Sequence, residues 1–350
     1  MKNFWRRRIL LIMGTALFVC ALVAIPNYIV DPFWCFQHEV PFGRYQTMFD
    51  ERQQKTNYLA FRDVDFDTVM LGNSRVTYMD PRDVPGRAFN YATSSMKPYE
   101  FLPYLRFAAR RSASPLNTII LGMSFVDTNA NSRLSFDSPE EYIARATSWG
   151  FRYKSLLNVE LLRHSVASIR RELRGNYHDS YVREGREIVS KQMKLPVPEA
   201  LRRSEIEENL AVYRARAYGK DYEYLDNRQV YTELKNAFPS SRFLVFSTPV
   251  SAHLLNLLVE QGLFDDYTRW VADLVEVFGE VWNFMYYNEI TTDDTNYKDA
   301  HHYTPQIGGK ILQKMYGKSD ENRHHDFGVR VIPDNLDAHL QFLRVNFSRD

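Results

Sequence analysis

An uncharged run near the N-terminus sets the first boundary on this chain. Lys2, Arg6, Arg7 and Arg8 precede any acidic residue. Directly behind them residues 9–25 read ILLIMGTALFVCALVAI, and NYIV carries the uncharged stretch to Val30, before Asp31. At about 1.5 Å per residue, such a helix matches the ~30 Å hydrocarbon core of a bilayer. A basic flank ahead of an apolar run reads as a signal anchor with its N-terminus in the cytoplasm, here the inner face of a cell inner membrane. The expected localisation is therefore a single-pass protein whose main part is periplasmic or otherwise extracytoplasmic. Two alternatives keep the same compartment. One is a cleaved signal peptide, with Val19-Cys20-Ala21 as a passable small-residue site. The other is a lipoprotein signal ending at Cys20, weakened by the bulk of Val19. A buried helix of a soluble protein leaves the four clustered charges unexplained.

Beyond that run the chain has the makings of a full core. It holds 350 residues, 45% of them hydrophobic and 25% charged, which excludes disorder as the main state. One enlarged domain, or one domain with a long insertion, fits this length. The net charge is only +1, so there is no basic face to argue for nucleic acid. Two cysteines, Cys20 and Cys35, supply neither a disulfide framework nor a four-ligand zinc site.

The pattern divides the chain into residues 1–30, a lead-in over 31–64, and an α/β domain over 65–350. The lead-in is aromatic-rich and broken by Pro32, Pro41 and Gly43, and reads as irregular. Short apolar runs at 67–72, 117–122, 242–247 and 281–286 read as buried strands, with RAFNYA (87–92) as one more. Helices are expected from Pro98, over roughly 254–278, at 304–316 and from Pro333. Residues 128–235 lose the strand rhythm and read as a mainly helical insertion. Strands separated by helices predict a parallel sheet with right-handed crossovers. Ligands on such sheets bind beyond the carboxyl ends of the strands. The loops at 72–75, 91–96, 122–127 and 248–251 should therefore share one rim.

Two motifs carry chemistry. GNSR, residues 72–75, follows the first of these strands and can present the Ser74 hydroxyl on a tight turn; a plain turn with a helix-capping serine is the bland reading. Far downstream stands DAHHY, residues 299–303. An aspartate three residues before a histidine can orient its imidazole and fix the tautomer that leaves the other nitrogen basic. Surface polar residues capping a helix at Thr304 are the alternative, and chemistry alone does not choose between His301 and His302. A metal reading of Asp299, His301 and His302 with His324 and His325 lacks helical ligand spacing.

Together GNSR, the late D-x-x-H-Y and the strand rhythm resemble the SGNH (GDSL-like) hydrolase superfamily. The likeness is to its membrane-anchored extracytoplasmic branch, similar to O-acetyltransferase-like proteins of exopolysaccharide assembly. NYIVDPFW (27–34) and FNYATSSMKPYE (89–100) also look like this group, and the resemblance covers about residues 27–345. It implies a three-layer, flavodoxin-like parallel sheet with a helical insertion and one N-terminal membrane helix. It implies Ser74 as nucleophile, His302 as base and Asp299 as the orienting carboxylate. Oxyanion or substrate contacts fall on Ser95, where the superfamily has a glycine, and on Asn73 and Arg75; a salt bridge is the preferred role for Arg75. The superfamily's Gly-x-Asn-Asp block is missing, since the strand end reads GMSFVD, and Asn129 or Asn131 are the expected substitutes.

The expectation that the resemblance implies is a serine-dependent acyl (acetyl) ester transferase or esterase of a cell-envelope glycan. Its partners are an acyl-ester donor, a glycan acceptor and, by analogy, a membrane acyl-donor protein. No cofactor or metal is needed. The rival expectation is a catalytically weak or inactive domain that binds or scaffolds an envelope polysaccharide assembly.

Overall fold

The computed structural model describes residues 2–39, 41–132, 136–318 and 326–348. His324 and His325 of the wider metal reading lie outside the described residues. The strands are β1 (Tyr45–Thr47), β2 (Thr68–Gly72), β3 (Ala88–Asn90), β4 (Thr118–Met123), β5 (Ser180–Glu184), β6 (Glu187–Gln192), β7 (Arg242–Ser247), β8 (Val281–Asn283) and β9 (Val329–Val331). They form two sheets in two compact units, Met1–Asp63 with Pro139–Gln192, and Val64–Ser138 with Met193–Asp350.

The second unit is a mixed α/β structure around a six-stranded sheet of order β3-β2-β4-β7-β8-β9. The first five strands are mutually parallel and β9 closes the edge antiparallel. The four expected strands thus lie parallel in one sheet. Alternate residues explain why both faces must be covered. Met70, Ile120, Leu244 and Phe246 pack with Ile307, Ile311 and Leu312 of the helix Pro305–Met315. The intervening Val69, Leu71, Ile119, Leu121 and Val245 are equally buried on the other face, where the helices Pro98–Arg111 and Phe264–Phe278 pack. A parallel sheet buried on both sides needs such uninterrupted apolar strands. The long helix expected over 254–278 is two, Ala252–Glu260 and Phe264–Phe278, separated at Gly262 in a left-handed conformation with φ +73°.

The first unit contains the N-terminal helix α1 (Lys2–Val30), whose Phe4–Val30 stretch is long and apolar enough to cross a membrane. Its other parts differ from the sequence reading. The lead-in is not irregular throughout. It forms β1 and a helix, α2 (Glu51–Phe61), and β1 pairs antiparallel with β5, Tyr45 opposite Val182. Accordingly the 128–235 stretch is not a single helical insertion. Residues 139–192 pack with the N-terminal part and include the β5–β6 hairpin, which turns at Gly185 with φ +58°. The remaining residues of the stretch belong with the large sheet. The reason is strand pairing, since a three-residue strand such as β1 satisfies its backbone only against a partner more than a hundred residues away.

Candidate active site

Every expected site residue lies in the second unit, at the carboxyl ends of the parallel strands. β2 ends at Gly72, and the next residues form the short helix α3 (Ser74–Thr77). The turn is tight because two glycines face each other, Gly72 opposite Gly122 on β4. A Cβ on Gly72 would meet Val76 Cγ2 at 2.4 Å and the Gly122 carbonyl at 2.7 Å. A Cβ on Gly122 would meet the same Val76 methyl at 2.2 Å. The glycine pair therefore lets Val76 sit directly over the strand ends and lifts Ser74, which is half-buried, onto the rim.

The second half of the site is a closed loop. Tyr297 and Tyr303 pair as an antiparallel bridge, and the Lys298 N–H donates to the His302 carbonyl at 2.9 Å. Both tyrosine rings are fully buried in the core beneath the sheet. Ser251, just beyond β7, donates its N–H and its hydroxyl to the Ala300 carbonyl at 3.0 and 2.9 Å, which ties the loop to the sheet. Thr304 and Pro305 then open the next helix, with proline at the position where its missing N–H costs nothing.

These two pieces bring three side chains into a line. His302 Nε2 lies 2.8 Å from Ser74 Oγ, across 228 residues of chain, and His302 Nδ1 lies 2.6 Å from Asp299 Oδ2. The other carboxylate oxygen of Asp299 accepts the backbone N–H groups of His301 and His302 at 2.9 and 2.8 Å. Burial alone would push the Asp299 carboxyl up. The imidazoles of His302 and His301, with these hydrogen bonds, outweigh burial and hold it well below the usual carboxylate range. An ionised Asp299 keeps the proton of His302 on Nδ1 and leaves Nε2 as an acceptor for the serine proton.

His301 does not point away from the site. Its ring centroid lies 3.9 Å from that of His302, and its Nδ1 is 3.4 Å from Asp299 Oδ1. Burial pushes it well below the ordinary histidine range, so it stays neutral. Ligand atoms of Asp299, His301 and His302 all lie within 4.8 Å of one another, a spacing compatible with a metal ion. Both nitrogens of His302 are already hydrogen-bonded, however, and would have to release Asp299 or Ser74 to bind one.

The other expected contacts are placed differently. Asn73 caps α3 by accepting the Arg75 N–H at 3.2 Å and donates to Asp127 at 3.3 Å, so its side chain is committed to structure. Arg75 is 2% exposed, so its guanidinium is closed off from a substrate, and it bonds hydroxyl groups in place of the expected carboxylate. Its guanidinium donates to the Thr248 hydroxyl and to the Tyr213 hydroxyl, both at 2.9 Å, and Thr248 in turn meets Ser124 at 2.8 Å. It pins the serine turn to the ends of β4 and β7. The reason lies in α3, where the residue after Ser74 points inward. Asn129 and Asn131 are no substitute donors either. Asn129 Nδ2 holds the Arg216 and Ala217 carbonyls, and Asn131 Nδ2 holds the Asp221 carbonyl. Ser95 adopts a left-handed conformation, φ +56°, the backbone state in which glycine is least costly.

Four neighbours escaped the sequence reading. Lys97 and Asp127 form a buried ion pair at 3.0 Å whose carboxylate also receives Asn73. Burial pushes the Asp127 carboxyl up in spite of Lys97. Tyr78 meets the His302 ring edge-on at 5.9 Å. Tyr213 lies against His301, with ring centroids 5.4 Å apart, and opens a π-helical turn at Tyr213–Ala217. Only Asp127 carried a signal, as an acidic residue at a strand's carboxyl end. Compared by sequence with known proteins, the chain matches no family model and no curated protein.

Proposed function

We propose that this protein is a serine-dependent acyl-ester transferase or esterase, with acetyl as the acyl group, built on an SGNH-type, flavodoxin-like fold. The observation that carries the reading is the Ser74–His302–Asp299 line, with separations of 2.8 and 2.6 Å. Both fall within the hydrogen-bond reach required of a nucleophile, its base and the base's orienting group. The sheet supports it. Counted along its own strands the order is 2-1-3-4-5-6, with only the sixth antiparallel, and Ser74 follows directly on the strand next to the switch point where ligands bind in such sheets.

In the proposed reaction His302 Nε2 takes the proton of Ser74 as its Oγ attacks the acyl carbonyl. The N–H groups of Ser74 and Ser95 receive the developing oxyanion. His302 returns the proton to the departing alcohol, leaving an acyl-serine. A glycan hydroxyl, or water in an esterase, then gives its proton to His302 and attacks the acyl carbonyl; the acyl–Ser74 bond breaks, and His302 returns the proton to Ser74 Oγ. Asp299 steadies the imidazolium in both halves. The setting proposed is the outer side of a cell inner membrane, with α1 as a single-pass anchor and its basic end inside. The acceptor is a cell-envelope glycan, and a membrane acyl-donor protein supplies the ester. Turnover of an aryl acetate by the full chain tests the chemistry. Ser74→Ala should lower it by about a thousandfold or more.

One observation favours the rival reading, a binding or scaffolding domain that has kept the fold. Asn129 and Asn131 spend their side chains on backbone carbonyls, so the superfamily's asparagine donor has no replacement at either position. Aryl acetate turnover unchanged by Ser74→Ala, together with glycan binding that survives the substitution, would select it.

A further inference from the structure

Outside α1 the first unit exposes six large apolar side chains among its described residues: Phe42, Trp149, Tyr153, Leu157, Val159 and Leu173. Trp149 is 90% exposed. All but Trp149 sit beside, or in ring contact with, residues fastened to the end of α1 or the chain leaving it, and Trp149 belongs to the same 149–174 segment. Asn27 donates to the carbonyls of Leu156 and Asn158, both at 3.0 Å, and accepts the Ser165 hydroxyl at 2.8 Å. Tyr28 meets Phe36 edge-on at 5.0 Å, and Phe36 meets Tyr153 at 6.3 Å. Gln46 donates to the Val30 carbonyl at 3.0 Å, while Glu172 receives the N–H groups of Gly43 and Arg44. The level follows from helix geometry. From Ile9 to Asn27 the helix rises about 27 Å, close to the ~30 Å thickness of the hydrocarbon core. Asn27 and the carbonyls it grips therefore lie at about the outer edge of that core, where aromatic side chains concentrate.

We infer that the 149–174 segment, with Phe42, is a membrane-docking collar that seats the first unit on the phospholipid headgroup layer around α1. The occupant is lipid rather than protein on grounds of charge and continuity. Residues 149–174 carry Arg152, Lys154, Arg163, Arg170, Arg171 and Arg174 against only Glu160 and Glu172. Basic groups beside the exposed Trp149 and Tyr153 suit anionic headgroups, and the collar continues directly from the helix that enters the bilayer. Lys154 already lies over the Trp149 ring, its ammonium 5.8 Å from the centroid, leaving the opposite face of the indole for lipid.

The inference rests on α1 spanning the membrane, and the test separates the two. The full chain is reconstituted in phosphatidylcholine–phosphatidylglycerol vesicles with no other protein. A nitroxide is placed on the native, exposed Cys20 in one sample and on Trp149→Cys in a Cys20→Ser background in the other; Cys35 is buried and stays unlabelled. Collision with oxygen is compared with collision with an aqueous nickel chelate. The label at 149 should shift from the ratio of free label in buffer toward that at Cys20. A label at 149 as aqueous as free label, with Cys20 deep, overturns the collar and assigns the face to a protein partner. Both labels aqueous overturns the anchor beneath it.

Discussion

Replacing Asp299 by Asn tests how the candidate site sets its proton. Asp299 makes three close hydrogen bonds, one to His302 Nδ1 at 2.6 Å and two to the backbone N–H groups of His301 and His302. An asparagine keeps one oxygen, and the two backbone donors compete for it. Its amide nitrogen is then turned toward His302 Nδ1 and donates to it. The imidazole proton moves to Nε2, and the nitrogen 2.8 Å from Ser74 becomes a donor that can no longer accept the serine proton. Size and backbone are unchanged, so the loss reports tautomer rather than collapse. An Asp-to-Asn change in a Ser-His-Asp hydrolase costs about 10⁴ in turnover, or roughly 5.4 kcal/mol of transition-state stabilisation. Aryl acetate turnover by the folded variant, checked by circular dichroism against the parent, measures it. A loss smaller than about tenfold in a natively folded variant would refute the assignment of Asp299 as the orienting group.

His301 provides a pH test. Its protonation is suppressed in the folded state, so below about pH 6.5 the unfolded chain binds the extra proton and stability falls. His301→Gln should flatten the fall in denaturation midpoint between about pH 6.5 and 5, and an unchanged slope counts against it. Gly72→Ala drives a Cβ to 2.4 Å from Val76 at φ +150°, and should lower both the thermal midpoint and turnover by displacing Ser74. A variant with parental turnover would show that the glycine pair does not set the turn. Buried Asp31 binds Arg62 at 3.2 Å and Arg183 at 3.1 Å, so Asp31→Ala strands two buried cations. The cost should be about 3–5 kcal/mol in chemical denaturation of the full chain, and less than about 1 kcal/mol would contradict the pairing.

Apolar rhythm alone carried the central sheet, because strands buried on both faces must be continuous runs such as TVMLG (68–72) and TIILGM (118–123). It failed for α2, where Glu51, Gln53, Gln54 and Asn57 are buried with no apolar period to announce them. Their burial is sustained by hydrogen bonds, Gln54 to the carbonyls of Pro32 and Thr47, and Asn57 to that of Phe33. Periodicity registers apolar burial and is blind to polar burial of this kind. Ser74, Asp299 and His302 were legible because a strand-end serine and a D-x-x-H turn are local patterns. That the His302 ring, rather than that of His301, meets Ser74 in the fold was not a local matter. It depended on which ring the Tyr297–Tyr303 bridge and the Ser251 tether turn toward Ser74. Arg75 shows the same division. Its charge beside the serine was visible in the chain. That it points inward to Thr248 and Tyr213 was decided by residues 173 and 138 positions away, which only folding brings near.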